Sequence, residues 1–360
     1  MLRRLLSNDL PRNRWLTAML IVLVGVLLLA PFVLPGVKAL AVAAKILVFL
    51  VLVASFDLLL GYTGIVSFAH TMFFGIGAYG IAIASHRMGP GWDAVLVGFG
   101  LSLLTAFVLS LMIGLFSLRV RAIFFAMITL AVASAFQTLA SQWSDLTGGE
   151  DGLSFKVPTW LSPSFEPFDE PVLGLLIDGR VLAYYLLVVV AALCFVALLR
   201  IVNSPFGRVL LAIRENEFRA EAIGYRVVVF RTVSSVLSAM FACVAGAMLA
   251  IWLRYNGPDT SLSFEIMLDV LLIVVIGGMG TLYGAAIGSA LFLVAQSYLQ
   301  DLLKLFHGAA EGIPILAAVV SPDRWLLWLG LLFVIAVYYF PTGIVGRLRQ
   351  GRMPGAGAHS

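Results

Sequence analysis

The sequence predicts an all-α polytopic membrane protein of about ten transmembrane helices, with roughly eight to ten as the range, and three observations predict it. First, the 360-residue chain is 61% hydrophobic and 12% charged, with a mean hydropathy of +1.04. Soluble domains carry about 25% charged residues, so a chain with half that charge holds more apolar surface than one core can hide. Second, apolar runs long enough to cross a bilayer recur along the whole length, each needing about 20 residues. Third, the basic residues sit at the ends of those runs and mostly on one side.

The runs fall at roughly 15–34, 39–60, 66–86, 93–117, 122–141, 181–201, 229–253, 264–282, 284–303 and 324–341. Arg3, Arg4, Arg12 and Arg14 precede the first. That run is longer than the apolar stretch of a secretory signal and a second run follows at once, so a retained first helix is expected. The third run, Ser67 to Ser85, is glycine-rich and reads as a broken or re-entrant span. Orientation follows from charge. With the N-terminus in the cytoplasm, that side holds the four leading arginines, Arg119 and Arg121, the six from Arg200 to Arg231, and Arg347, Arg349 and Arg352. That is fifteen of the 23 Lys+Arg, which is the positive-inside bias. The C-terminus is then cytoplasmic too. Five runs precede the long outer loop 142–180 and five follow it, an arrangement in which inverted repeats occur. The chain reads as one permease-type domain over 1–360, with 142–180 as an outer loop and 203–228 as the one long cytoplasmic loop.

Composition also excludes. The basic residues form no continuous stripe, so no nucleic acid is expected as partner; the bilayer is. Cys194 and Cys243 lie in apolar runs and offer no disulfide framework or zinc spacing. No catalytic constellation and no Gly-Lys phosphate loop is present, so neither enzymatic chemistry nor a bound cofactor or metal is expected in this chain.

Four stretches carry candidate function. The segment Asn203–Arg231 is the most charged. Ser204-Pro205 and Asn216-Glu217 read as two helix starts and Gly224 as a left-handed C-cap, giving short helices near 205–214 and 217–223. Arg214, Glu215, Asn216, Glu217, Arg219 and Glu221 would be exposed. Arginines alone would set topology, but three acids among them point to a docking partner. The second stretch is Gly61-Tyr62-Thr63-Gly64 with Ser67, His70, Gly75, Gly77 and Gly80. Its glycines serve close packing or a helix break, and Ser67, His70 and Thr71 would face a substrate path if the break opens one; the path as a whole would be lined by Ser67, His70, Thr129 and Gln137. The third, Gly277-Gly278-Met279-Gly280-Thr281 with Gly284 and Gly288, reads as a tight hairpin with a packing face. The fourth is Thr147, Gly148, Gly149 and Gly152, which fits an outer gate or receptor contact as well as a plain acidic turn. Among ionisable groups in or near spans, Asp57 and Asp269 read as close to helix ends, and Lys45 as snorkelling outward.

The stretch Phe56-Asp57-Leu58-Leu59-Leu60-Gly61-Tyr62-Thr63-Gly64, with Ser67, His70 and Gly75-x-Gly77-Ala78-Tyr79, resembles the LivM-type permeases of bacterial branched-chain amino-acid ABC importers. So do Leu118-Arg119-Val120-Arg121, Thr147-Gly148-Gly149-x-x-Gly152, Ser204-Pro205-Phe206-Gly207-Arg208 through Glu217, and Ile276-Gly277-Gly278-Met279-Gly280. The resemblance implies a second, LivH-like permease subunit, two ATPase subunits that bind the ATP, and a periplasmic substrate-binding protein, all at a bacterial inner membrane. It assigns ATPase coupling to Arg214, Glu215, Asn216, Glu217, Ala220, Glu221 and Gly224, where Glu221-Ala222-Ile223-Gly224 is similar to the family's signature but departs at Ile223. The family's substrates also include urea, amides and aromatic acids. From the residues alone, an ion-coupled carrier acting by itself stays open as the rival. A cysteine at Asn216 should react with an impermeant reagent only once the cytoplasmic face is opened; reaction in intact cells would reverse the orientation.

Overall fold

The computed structural model describes residues 14–33, 36–117, 122–166, 178–309, 321–340 and 343–350. Arg3, Arg4, Arg12, Arg119, Arg121 and Arg352, on which part of the orientation reading rests, lie outside the described residues, as does the 167–177 part of the long loop. The helices are α1 (Arg14–Val33), α2 (Val37–Thr63), α3 (His70–Met88), α4 (Trp92–Ser117), α5 (Ala122–Gln142) and α6 (Gly179–Asn203). There follow the short α7 (Pro205–Glu215) and α8 (Glu217–Ala222), then α9 (Val227–Leu253), α10 (Phe264–Gly277), α11 (Leu282–Ala309), α12 (Trp325–Tyr339) and α13 (Gly343–Gln350). Strands are confined, among the described residues, to β1 (Leu153–Ser154) and β2 (Tyr255–Asn256), paired antiparallel with Leu153 opposite Asn256.

Among the described residues, 9 stretches are long and apolar enough to span a bilayer: α1, α2, α4, α5, α6, α9, α11, Pro258–Gly277 and the one that begins at Trp325. This is an all-α polytopic membrane protein, within the range the sequence predicted. The remaining run is α3, a continuous 19-residue helix with no internal break. It starts on His70-Thr71, ends on Ser85-His86-Arg87, and is almost wholly buried. A helix screened from lipid by its neighbours has no need of a fully apolar surface.

Burial sorts the helices by place. Every residue of α2 from Ile46 to Leu59 is buried, so α2 is the central helix, consistent with its being apolar all round. By contrast, Ile21 and Val22 of α1, Leu96 and Leu101 of α4, and Ile123 and Met127 of α5 are exposed. These are the faces a bilayer would cover. Small residues let the inner helices touch backbone to backbone. A Cβ on Gly77 of α3 would strike the Cys243 backbone of α9, and one on Gly246 of α9 would strike the Phe74 carbonyl of α3. Gly80 of α3 and Gly98 of α4 meet in the same way. The Gly277–Thr281 hairpin closes α10 onto α11, with Gly277 against Gly284 and Gly288 against the Ile273 carbonyl.

Gly246→Val should therefore lower the thermal stability of the detergent-purified protein by about 1–3 kcal/mol, the usual range for overpacking. Gly25→Ala, at a position with nothing within 4 Å, should leave the melting temperature unchanged.

Candidate functional site

Local sequence builds the loop after α6 as two short helices. The Ser204 hydroxyl accepts the Gly207 N–H at 3.4 Å, with Pro205 in the first turn. The Asn216 side chain accepts the Arg219 N–H at 2.9 Å. Gly224, at φ +95°, ends the pair, and its N–H donates to the Glu221 carbonyl at 2.9 Å. Leu210, Ile213, Ala220 and Val227 are buried beneath the pair, with Phe206 stacked on Phe230 at 5.7 Å. Arg214, Glu215, Asn216, Arg219, Glu221 and Gly224 are exposed. Glu217 is a correction to the expected exposed set. It is half-buried and bound in two hydrogen bonds by Arg231 at 2.7 and 2.9 Å, because α8 folds back onto the start of α9. The sequence did not mark Phe218 as a surface group. It is 85% exposed, beside Ile223 at 67%.

The base of these helices reaches into the spans. The Arg214 guanidinium donates to the Gly61 carbonyl at the end of α2. One turn earlier, the Asp57 carboxylate accepts the Gly280 N–H at 2.8 Å, from the hairpin between α10 and α11. Two glycines permit this approach. A Cβ on Gly61 would strike Asp57 and the Gly280 nitrogen, and Gly280 itself sits at φ +79° against Arg214 and Gly61. The sequence placed Asp57 near a helix end; it is instead 1% exposed, covered by the hairpin that it holds. One cluster thus ties α7, the end of α2 and the α10–α11 hairpin.

The chain after α2 turns back into the bundle. Gly64 caps α2 at φ +73° and residues 64–69 are irregular. His70 Nε2 lies 2.9 Å from Ser55 Oγ and 3.2 Å from the Leu52 carbonyl. Leu52 precedes Thr63 by about 16 Å of helix, so α3 begins deep beside α2. Irregular backbone at such depth has to be satisfied by protein or water. Here the Phe68 N–H donates to the Thr129 hydroxyl at 3.1 Å, and Ser67, His70 and Thr129 are all buried. Gln137 is half-exposed on α5, away from them. None of the four lines the cavity described next.

Towards the opposite end of α2 lies a cavity of about 690 Å³. Lys45 of α2, Asp269 of α10 and Gln296 of α11 converge on it. Lys45 Nζ donates to Gln296 Oε1 at 3.3 Å, and Gln296 Nε2 donates to Asp269 Oδ2 at 3.2 Å. Lys45 and Asp269, read from sequence as a snorkelling cation and a helix-end acid, are partners in one network. Gln296 was missed; its signal was a carboxamide inside an apolar span, on a third helix.

Beyond the cavity, the Thr147 hydroxyl donates to the Ala140 and Trp143 carbonyls at 2.6 and 2.7 Å, closing the turn after α5. Gly148, Gly149 and Gly152 all take positive φ, and Gly152 packs against Asn256 and Gly257. The Tyr255 hydroxyl donates to the Asp151 carbonyl at 3.1 Å. This turn is therefore fixed to the segment after α9. Among the described residues, no three His, Cys, Asp or Glu gather as a metal site, and both cysteines are free and buried.

The profile of a family described as branched-chain amino acid transport system / permease component matches residues 38–337. The high-affinity branched-chain amino acid transport system permease protein LivM of Escherichia coli strain K12 is 26% identical over 298 residues, covering 79% of this chain and 69% of its own. The probable branched-chain amino acid transport permease protein LivM of Methanocaldococcus jannaschii is 24% identical over 324 residues, covering 81% and 88%. No solved structure matches. A profile match across 300 residues of a polytopic chain, over the same helices that carry the Asp57 cluster and the cavity, settles the family: the chain belongs to the branched-chain amino acid transport permease components.

Proposed function

We propose that this chain is the membrane-spanning permease subunit of an ATP-binding-cassette importer, moving branched-chain or related amino acids into the cell. The observation that carries the proposal is the joint at Arg214, Gly61, Asp57 and Gly280. A helical pair at the surface is fastened there to the central span and to a neighbouring hairpin. Force applied to α7 would reach α2 directly, and α10 and α11 through the tight turn that joins them.

With the charge-derived orientation, α7 and α8 face the cytoplasm of a bacterial inner membrane. Phe218 and Ile223 then project into water, where large apolar side chains gain nothing unless a partner covers them. Arg219, Glu215 and Glu221 surround them with mixed charge. This fits one of two ATPase subunits, which bind and hydrolyse the ATP. A second, related permease would complete the path. A periplasmic binding protein would dock on the far side, at the turn Thr147–Gly152 and the loop after it. ATP-driven closure of the ATPase pair would shift the spans between two packings, by as much as its affinity differs for them.

The test is co-expression with the ATPase subunits. Phe218→Asp with Ile223→Asp should abolish co-purification and lower ATP-driven uptake by more than about tenfold, as loss of a central apolar anchor does. The permease itself should keep its melting temperature, because both side chains are exposed. Undiminished association would remove α8 as the docking element. Glu217→Lys makes a poorer probe, since it breaks the Arg231 pair and destabilises the fold as well.

A further inference from the structure

The cavity between α2, α10 and α11 holds an arrangement that packing alone does not call for. Charged side chains inside spans are costly, and the cheapest arrangement for a lysine and an aspartate is a direct ion pair. Lys45 and Asp269 instead stand apart, with the Gln296 carboxamide between them. That carboxamide offers its oxygen to the cation and its N–H to the carboxylate. An α-amino acid head group makes the same offer with full charges: carboxylate oxygens to a cation, ammonium N–H to a carboxylate. Each bond to the Gln296 amide has one charged partner, whereas a zwitterion would bring an opposite charge to both Lys45 and Asp269 and so would displace the amide from them.

We propose that this cavity is a zwitterion site for an apolar α-amino acid, with Lys45 taking the carboxylate, Asp269 the ammonium, and Gln296 standing in for the head group when the site is empty. One part of the remaining wall, with Val42, Phe49, Phe74, Leu249 and Ile266, suits an aliphatic side chain; Asp259, Thr260 and Ser263 make another part polar. At about 690 Å³ the space lies within the usual range of small-molecule pockets, roughly 300–1,000 Å³. Its mouth is polar. Lys38 and Asp301 pair across α2 and α11 there, and the exposed Glu265 stands on α10. The site shares α2 and the α10–α11 hairpin with the Asp57–Gly280 cluster, so motion of α7 acts on three of its walls. This inference rests on the permease reading for its substrate class.

The experiment uses the full chain, purified without partners. Ser297→Cys, on the cavity wall, is introduced with Cys194→Ala and Cys243→Ala, and its alkylation by a maleimide is timed; Thr260→Cys on the facing wall is the second reporter should the first misfold. L-leucine should slow alkylation about tenfold at some ten times its half-protecting concentration, as mass action requires. The matching 2-oxo acid, which lacks the ammonium, and isopentylamine, which lacks the carboxylate, should not. Asp269→Asn should abolish protection. Gln296→Ala should lower the half-protecting concentration about fivefold, because the ligand no longer displaces an internal hydrogen-bonding rival. A structural role for Gln296 would leave that concentration unchanged or raise it. Equal protection by leucine and both analogues, or none by leucine, overturns the proposal. ATP-driven uptake by the assembled complex is measured separately: uptake without protection removes this site and leaves the importer, and protection without uptake does the reverse.

Discussion

A buried carboxylate holding a backbone N–H from another hairpin is the constraint on which the arrangement of this protein depends. Asp57 is enclosed by the α10–α11 turn and accepts the Gly280 N–H at 2.8 Å. Leaving a buried donor without its partner costs about 1–3 kcal/mol, so the two segments are held in one register. Gly61 and Gly280 have no side chains, which is why the backbones come close enough for that bond. Arg214 then closes the same cluster from the surface side by binding the Gly61 carbonyl. One acid, one arginine and two glycines thus set where α7 sits relative to three inner helices.

In the proposed importer, that geometry would let a partner acting on α7 and α8 move the spans. A coupling element serves only if it is rigidly joined to parts that move. Here the rigid join is short, and the surface beyond it carries two uncovered apolar side chains, Phe218 and Ile223. At the other end of the same helices, Lys45, Gln296 and Asp269 form a network across three spans. The two ends are connected through α2, whose middle is buried on every side.

Features carried by local chemistry were readable in the sequence. The caps at Ser204, Asn216 and Gly224 announced α7 and α8 to within a residue or two, because capping depends on neighbours in the chain. The spans were readable because the length of an apolar run and the bilayer thickness are coupled. What the sequence did not disclose depends on contacts between separate helices, 223 residues apart for Asp57 and Gly280 and 251 for Lys45 and Gln296. Asp57 looked like a helix-end acid because Gly280 was not visible beside it. Lys45 and Asp269 looked scattered because Gln296, an uncharged residue, joins them. The glycines near residue 61 offered two meanings, break or packing, and both occur: Gly64 ends α2, while Gly77 and Gly80 pack α3 against α9 and α4.

The most direct measurement is a double-mutant cycle of Arg214→Ala and Asp57→Ala in the assembled, reconstituted complex, reading amino-acid uptake per ATP hydrolysed. If the cluster is the joint, each single variant keeps hydrolysis and loses uptake, and the double variant is no worse than either, since residues of one network do not add. Additive losses, or uptake and hydrolysis falling in proportion, would show that the drive reaches the spans by another route.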